Sequence, residues 1–73
     1  MNYQEILNQG SKILKLNDIK SYNLDSELLL SSTLKINRSQ ILLQLNNKIK
    51  NNEKEIFLNL IKRRKRSEPI AYI

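Results

Sequence analysis

Arg63-Arg64-Lys65-Arg66-Ser67-Glu68-Pro69-Ile70-Ala71-Tyr72-Ile73 closes the chain and holds its only proline. The proline ring clashes with the residue before it and disfavours the α region there. A helix carrying Arg63 and Arg64 is therefore predicted to stop before Glu68. Ile70-Ala71-Tyr72-Ile73 is short, β-branched and aromatic, and reads as the opening of a strand. Everything upstream reads as helix. The expected fold class is all-α, a compact bundle of roughly four to five short helices with a C-terminal extended segment. A change of backbone character this close to the last residue points to a domain separated from a longer protein. On that reading residues 1–66 form the helical domain and residues 67–73 begin a linker.

The 73 residues include no cysteine and no histidine. That excludes a disulfide staple, a thiolate metal site and the commonest general base, and it suits a reducing, cytoplasmic setting. No run reaches the ~18 to 20 apolar residues of a membrane span, and no signal-peptide core opens the chain. A chain this short buries only about 60% of its unfolded surface, so packed aliphatic side chains must supply its stability. Thirteen Lys and Arg against seven Asp and Glu leave a net charge of +6. Such a balance fits an acidic partner or nucleic acid. The abundance of Asn, Ile and Lys also fits A·T-rich coding with no selection for charge.

Along the chain, residues 2–16 place Tyr3, Ile6, Leu7, Gly10, Ile13 and Leu14 on one helical stripe. Glycine costs about 1 kcal/mol against alanine in a helix interior. Its position on the stripe marks Gly10 as a point of close approach by another helix. Asn17-Asp18 ends this helix. Ser21-Tyr22-Asn23 opens the second, with Asn23 as the expected cap and Asp25 and Glu27 near the positive end of the dipole. At ~100° per residue, Leu24, Leu28, Leu30 and Leu34 form a wide face with Ser31 in its middle, and Leu29 points the other way. Helices apolar on both sides are enclosed by neighbours, which makes this the central one. Ser31 and Ser32 are small enough to let a partner come close.

Ile36-Asn37-Arg38-Ser39 reads as a turn before a short helix over residues 40–45, capped by Asn37 or Ser39. Arg38 has a structural reading, pairing with Asp25 or Glu27, and a rival one as a partner contact. Asn46-Asn47-Lys48 is a loop, and Ile49 is expected to pack back on the core. Asn51 or Asn52 caps the last helix, with Glu53 and Glu55 early and Lys62 to Arg66 late, the order a helix dipole favours. Ile56, Phe57, Leu60 and Ile61 form its inward face. Arg64 falls on the same side and is expected to surface its guanidinium at the rim.

The pattern Arg63-Arg64-x-x-Ser67-Glu68-Pro69-Ile70-Ala71-Tyr72-Ile73 resembles the R-R-x-x-G-E-P-[ILV]-A-Y-[IL] segment of the HemK/PrmC family of protein-glutamine methyltransferases. Two further stretches resemble that family in order. Asp25-Ser26-Glu27-Leu28-Leu29-Leu30 is similar to its D-A-E-L-L-L helix. Leu34 through Leu43, with Arg38-Ser39-Gln40 at its centre, is similar to its L-G-x-x-R-[ST]-x-L-L stretch. Together the matches span about the last two-thirds of the chain. Ser67 and Lys35 stand where the family has glycine. Because glycine accepts left-handed dihedrals at little cost, these substitutions leave the two local turn geometries open.

The resemblance implies the N-terminal helical domain of an S-adenosylmethionine-dependent enzyme. Such enzymes methylate the glutamine side-chain nitrogen in the Gly-Gly-Gln motif of class I peptide-chain release factors. It also implies an Asn-Pro-Pro-Tyr motif that orients the amide lone pair by hydrogen bonding, a catalysis of positioning and electrostatics. Neither that motif nor a Gly-rich cofactor loop occurs here, and both are expected beyond residue 73. These residues then carry no catalytic group, no cofactor site and no metal site, and their role is recognition. The basic end, Lys62, Arg63, Lys65 and Arg66, is the expected contact with an acidic release-factor surface. Ordinary dipole complementation explains the same charges individually. Glu68, Pro69 and Tyr72 are expected to form the joint with the chain's own catalytic domain.

Two other classes of function compete. A small nucleic-acid-binding domain would use the net charge, yet no turn followed by a helix with an exposed basic reading face is apparent. A helical adaptor or dimerisation module would leave a large apolar patch exposed, with Leu29 and Leu58 the residues lying off the main stripes.

Overall fold

The computed structural model describes residues 1–66. Tyr3–Leu16 form α1, Tyr22–Leu34 form α2, Arg38–Leu42 form α3 and Asn51–Lys65 form α4. The expected all-α bundle is therefore present, with four helices among the described residues. α2 packs against each of the other three, and α1 also packs against α4. α4 ends at Lys65 with Arg66 as its cap residue, before Glu68 as predicted. The strand expected over residues 70–73 and the joint residues Glu68, Pro69 and Tyr72 lie outside the described residues.

α1 starts where its sequence can satisfy its own amides. The Asn2 side chain accepts from the Glu5 N–H at 2.8 Å, and the Glu5 carboxylate accepts from the Asn2 N–H at 2.9 Å. This reciprocal box meets the need of a helix start for acceptors. The loop before α4 supplies the rest. Tyr3 N–H donates to the Asn47 carbonyl at 2.9 Å, Gln4 N–H to that of Leu45 at 3.0 Å, and Ile49 N–H to that of Met1 at 3.0 Å. Ile49 accordingly packs back on the core, as expected. At the far end Asp18 takes φ 61°, which lets the Ile19 N–H reach back to the Leu14 carbonyl at 3.1 Å. Aspartate tolerates that left-handed geometry better than most residues, and the turn delivers Ile19 to the core.

The stripe on α1 faces the core as read, with Ile6, Leu7, Gly10 and Leu14 buried and Tyr3 and Ile13 half-buried, and Gly10 is its closest point of contact. A Cβ there would lie 2.7 Å from Phe57 Cζ and 2.8 Å from Ser26 Oγ. The three long helices thus meet at one spot, between residues from α1, α2 and α4. The Ser26 hydroxyl is fully buried and donates to the Leu7 carbonyl at 3.0 Å, so it belongs to the same junction.

α2 is central, but its inward face is not the expected one. Asp25, Ser26, Leu29 and Leu30 are buried, whereas Leu24 and Leu28 are 43% and 37% exposed. Leucines encircle this helix, so they do not choose a face. Its small and paired polar residues do, because Ser26 admits α1 and Asp25 finds a cation. The cap is Ser21, not Asn23, and the Ser21 hydroxyl donates to Asp25 Oδ2 at 2.9 Å. Ser31 clasps the C-terminus: its carbonyl accepts from the N–H groups of Lys35 and Ile36, and its hydroxyl donates to the Ile36 carbonyl. Lys35 is held at φ 58°, ψ 38°, the left-handed geometry for which glycine is suited.

α3 is shorter than predicted, five residues rather than a helix over 40–45, with turns following it. Asn37 is its cap and exchanges hydrogen bonds with Gln40 at 2.9 Å in both directions. Of its apolar run only Ile41 is buried, while Leu42 and Leu43 are exposed. Arg38 takes its structural reading, with Nε and Nη2 donating to Glu27 Oε1 at 3.0 and 2.8 Å. The α4 cap is Lys50 rather than Asn51 or Asn52. Its side chain has no acceptor, so only the reverse half of a box forms, Lys50 N–H to Glu53 Oε1 at 3.0 Å. Phe57 and Ile61 are its buried residues, Leu60 is half-buried, and Ile56 is 49% exposed rather than inward.

Two substitutions test this packing. Gly10→Ala gains about 1 kcal/mol of helix propensity but forces a methyl against a fixed ring, and overpacking costs about 1–3 kcal/mol. A net loss of up to about 2 kcal/mol is expected in urea unfolding, smaller in a Phe57→Leu background. Lys35→Gly removes a left-handed residue at the price of a freer unfolded chain, and should raise stability by about 0.5–1 kcal/mol.

Candidate protein-docking surface at one end of the bundle

The chain direction decides where the charges go. α1 begins beside Lys48 and α4 begins three residues after it, so both helices start at the same end. Arg64, in the last turn of α4, reaches Asp25 in the first turn of α2, which follows α1 by a short loop. The C-termini of α1 and α4 and the N-terminus of α2 therefore share the other end. Lys15, Lys20 and the five basic residues from Lys62 to Arg66 gather there, with Asp18 and Asp25 as carboxylates from the same elements. A shallow pocket of about 190 Å³ opens at this end, lined by Lys15, Asp18, Ile19, Lys20 and Tyr22. The Lys15 ammonium sits 5.5 Å from the centre of the Tyr22 ring, a cation–π contact.

The residues expected to meet a partner do not share one side of α4. At about 100° per residue, Lys62 and Arg66 face away from the core while Arg63 and Lys65 fall on separate flanks. Lys62, Lys65 and Arg66 are exposed and Arg63 is half-buried. Lys15 and Lys20 join them, an addition that helix-by-helix reading missed because it needs the relative direction of α1 and α4.

Arg64 has a different place from the expected one. Its Nε donates to Asp25 Oδ2 at 2.8 Å, and the two side chains are 19% and 6% exposed. It stands one turn beyond Leu60 and Ile61, where its stem runs along the core, but its head finds a carboxylate before it finds water. The second helix has two acidic residues, and with Glu27 held by Arg38 it is Asp25 that takes the cation. The pair ties the end of α4 to the start of α2 and so fixes the basic end to the bundle.

Breaking one member of a buried pair leaves the other charge unpaired, at a cost of about 3–5 kcal/mol for full burial. Arg64 keeps some solvent, so Asp25→Asn should cost about 2–3 kcal/mol in urea unfolding. Asp25→Leu with Arg64→Met should recover most of that, while Arg38→Gln, which opens an exposed pair, should cost under about 1 kcal/mol.

No three His, Cys, Asp or Glu side chains group as a metal site among the described residues, and no described helix is long and apolar enough to cross a membrane. Among families of known proteins, the model for the PrmC N-terminal domain matches residues 5–73. No curated protein and no solved structure matches the chain. With nearly its whole length covered by that one match, and with the helical bundle the resemblance implied, the chain belongs to the PrmC N-terminal domain family.

Proposed function

We propose that residues 1–66 are the non-catalytic, substrate-holding domain of a protein-glutamine methyltransferase acting on class I peptide-chain release factors. On this reading the linker begins within residues 67–73, where Glu68, Pro69 and Tyr72 form the joint. S-adenosylmethionine and the reacting amide are then bound by a catalytic domain outside these residues, in the cytoplasm. The observation that carries the reading is family membership across residues 5–73. The gathering of cations at one end supports a protein partner with an acidic face. Exposed rim charges of this kind steer approach and raise the association rate, and salt weakens them.

Nucleic acid is the less favoured partner. α3 has five residues and its Arg38 is committed to Glu27, so it presents no reading helix. The adaptor reading loses the residues it named, since Leu29 is 2% exposed and Leu58 packs against the core.

The test is methylation of the Gly-Gly-Gln motif by the full-length protein at a series of salt concentrations. Replacing Lys62, Arg63, Lys65 and Arg66 together by glutamine should lower kcat/KM at low salt and flatten its salt dependence, with kcat unchanged. An unchanged slope removes the basic end from docking. Failure of the wild-type protein to methylate the release factor removes the functional reading itself.

A further inference from the structure

The outer face of α2 is apolar where it runs up from the basic end. Leu24 and Leu28 stand one turn apart on it, 43% and 37% exposed, opposite the buried side made by Ser26, Leu29 and Leu30. The 2.8 Å contact between Arg64 and Asp25 brings the last turn of α4 to the turn of α2 that carries Leu24. The apolar ridge and the exposed cations Lys62, Lys65 and Arg66 therefore lie at the same end of the molecule.

We propose that Leu24 and Leu28 form the anchor of a docking surface whose partner is an acidic protein surface that also bears apolar side chains. The inference rests on the release-factor reading above and adds a division of labour to it: the cations set the rate of approach, and the ridge sets the lifetime of the complex. Anchors buried at the centre of an interface act mainly on dissociation, and charges at its rim act mainly on association.

Charge complementarity selects this occupant over three others. A second copy would bring another net charge of +6 to the surface, like charge against like. A nucleic-acid backbone offers negative charge but no apolar complement to the ridge. A lipid surface calls for a helix with one broad apolar face, and outside the core α2 shows two leucines among Asn23, Glu27 and Ser32.

The full-length protein carrying Leu24→Ser with Leu28→Ser, and a second form with both as glutamine to keep the side-chain stems, is tested for binding to purified release factor by surface plasmon resonance. The expected result is a dissociation rate raised about tenfold, with the association rate and its salt dependence retained. Leu43→Ser, at the other end of the bundle and 85% exposed, should leave both rates unchanged. Thermal melts must match wild type for at least one double variant. If wild type binds and a folded double variant dissociates at the wild-type rate, the ridge is overturned while the functional reading stands. If wild type does not bind release factor at all, both fall. A wild-type dimer in sedimentation equilibrium, or binding to phosphatidylglycerol vesicles, that either double variant abolishes would give the ridge to another occupant and overturn the proposal.

Discussion

The bundle depends on the missing side chain at Gly10. With no Cβ, α1 comes close enough for the Phe57 ring and the Ser26 hydroxyl to occupy the space a methyl would need. Each of the three long helices gives one residue to this junction, so their separations are set together. Dense packing transmits such a constraint because interiors leave few voids to absorb a shift. Ile6, Leu14, Leu30, Ile41, Phe57 and Ile61 are fully buried around it in a core built almost wholly of aliphatic side chains.

Polar contacts decide what the apolar core leaves undecided. Leucines on every side of α2 permit several rotations of that helix, and two polar residues choose among them. The Ser26 hydroxyl is committed to the Leu7 carbonyl, and the Asp25 carboxylate is committed to Arg64 and Ser21. Such buried polar pairs are costly to leave half-made, so alternatives that separate them are disfavoured even when they bury as much hydrocarbon. The same two residues leave Leu24 and Leu28 on the outside. Specification of the fold and presentation of the outer ridge therefore have one cause.

Much of this was legible in residue order. The α1 stripe, the close approach at Gly10, a cap at Asn37 or Ser39, the pairing of Arg38 with Asp25 or Glu27 and the return of Ile49 could all be read from spacing and local chemistry, and the fold chose Asn37 and Glu27. The family resemblance also rested on residues readable in order, and it agrees with the domain match. The face of α2 was not legible, because periodicity weighs leucines and the choice lay with Ser26 and Asp25. The partner of Arg64 was not legible either, since it lies 39 positions away in sequence. The caps at Ser21 and Lys50 were missed for a related reason. Propensity favoured the asparagines nearby, while the loops that deliver each helix set the starting point one or two residues earlier.

The attachment of α1 to the α3–α4 loop has a consequence for how the molecule is made. The amides of Tyr3 and Gln4 are satisfied by carbonyls of Asn47 and Leu45, which leave the ribosome about forty residues later. At synthesis rates of about 5–20 residues per second, the nascent first helix waits on the order of 2–8 s for those acceptors. Phe57, which fills the gap at Gly10, emerges later still. Assembly during translation is therefore held back until α4 has cleared the exit tunnel, and the early segments depend on water or a chaperone to occupy their unsatisfied groups in the meantime.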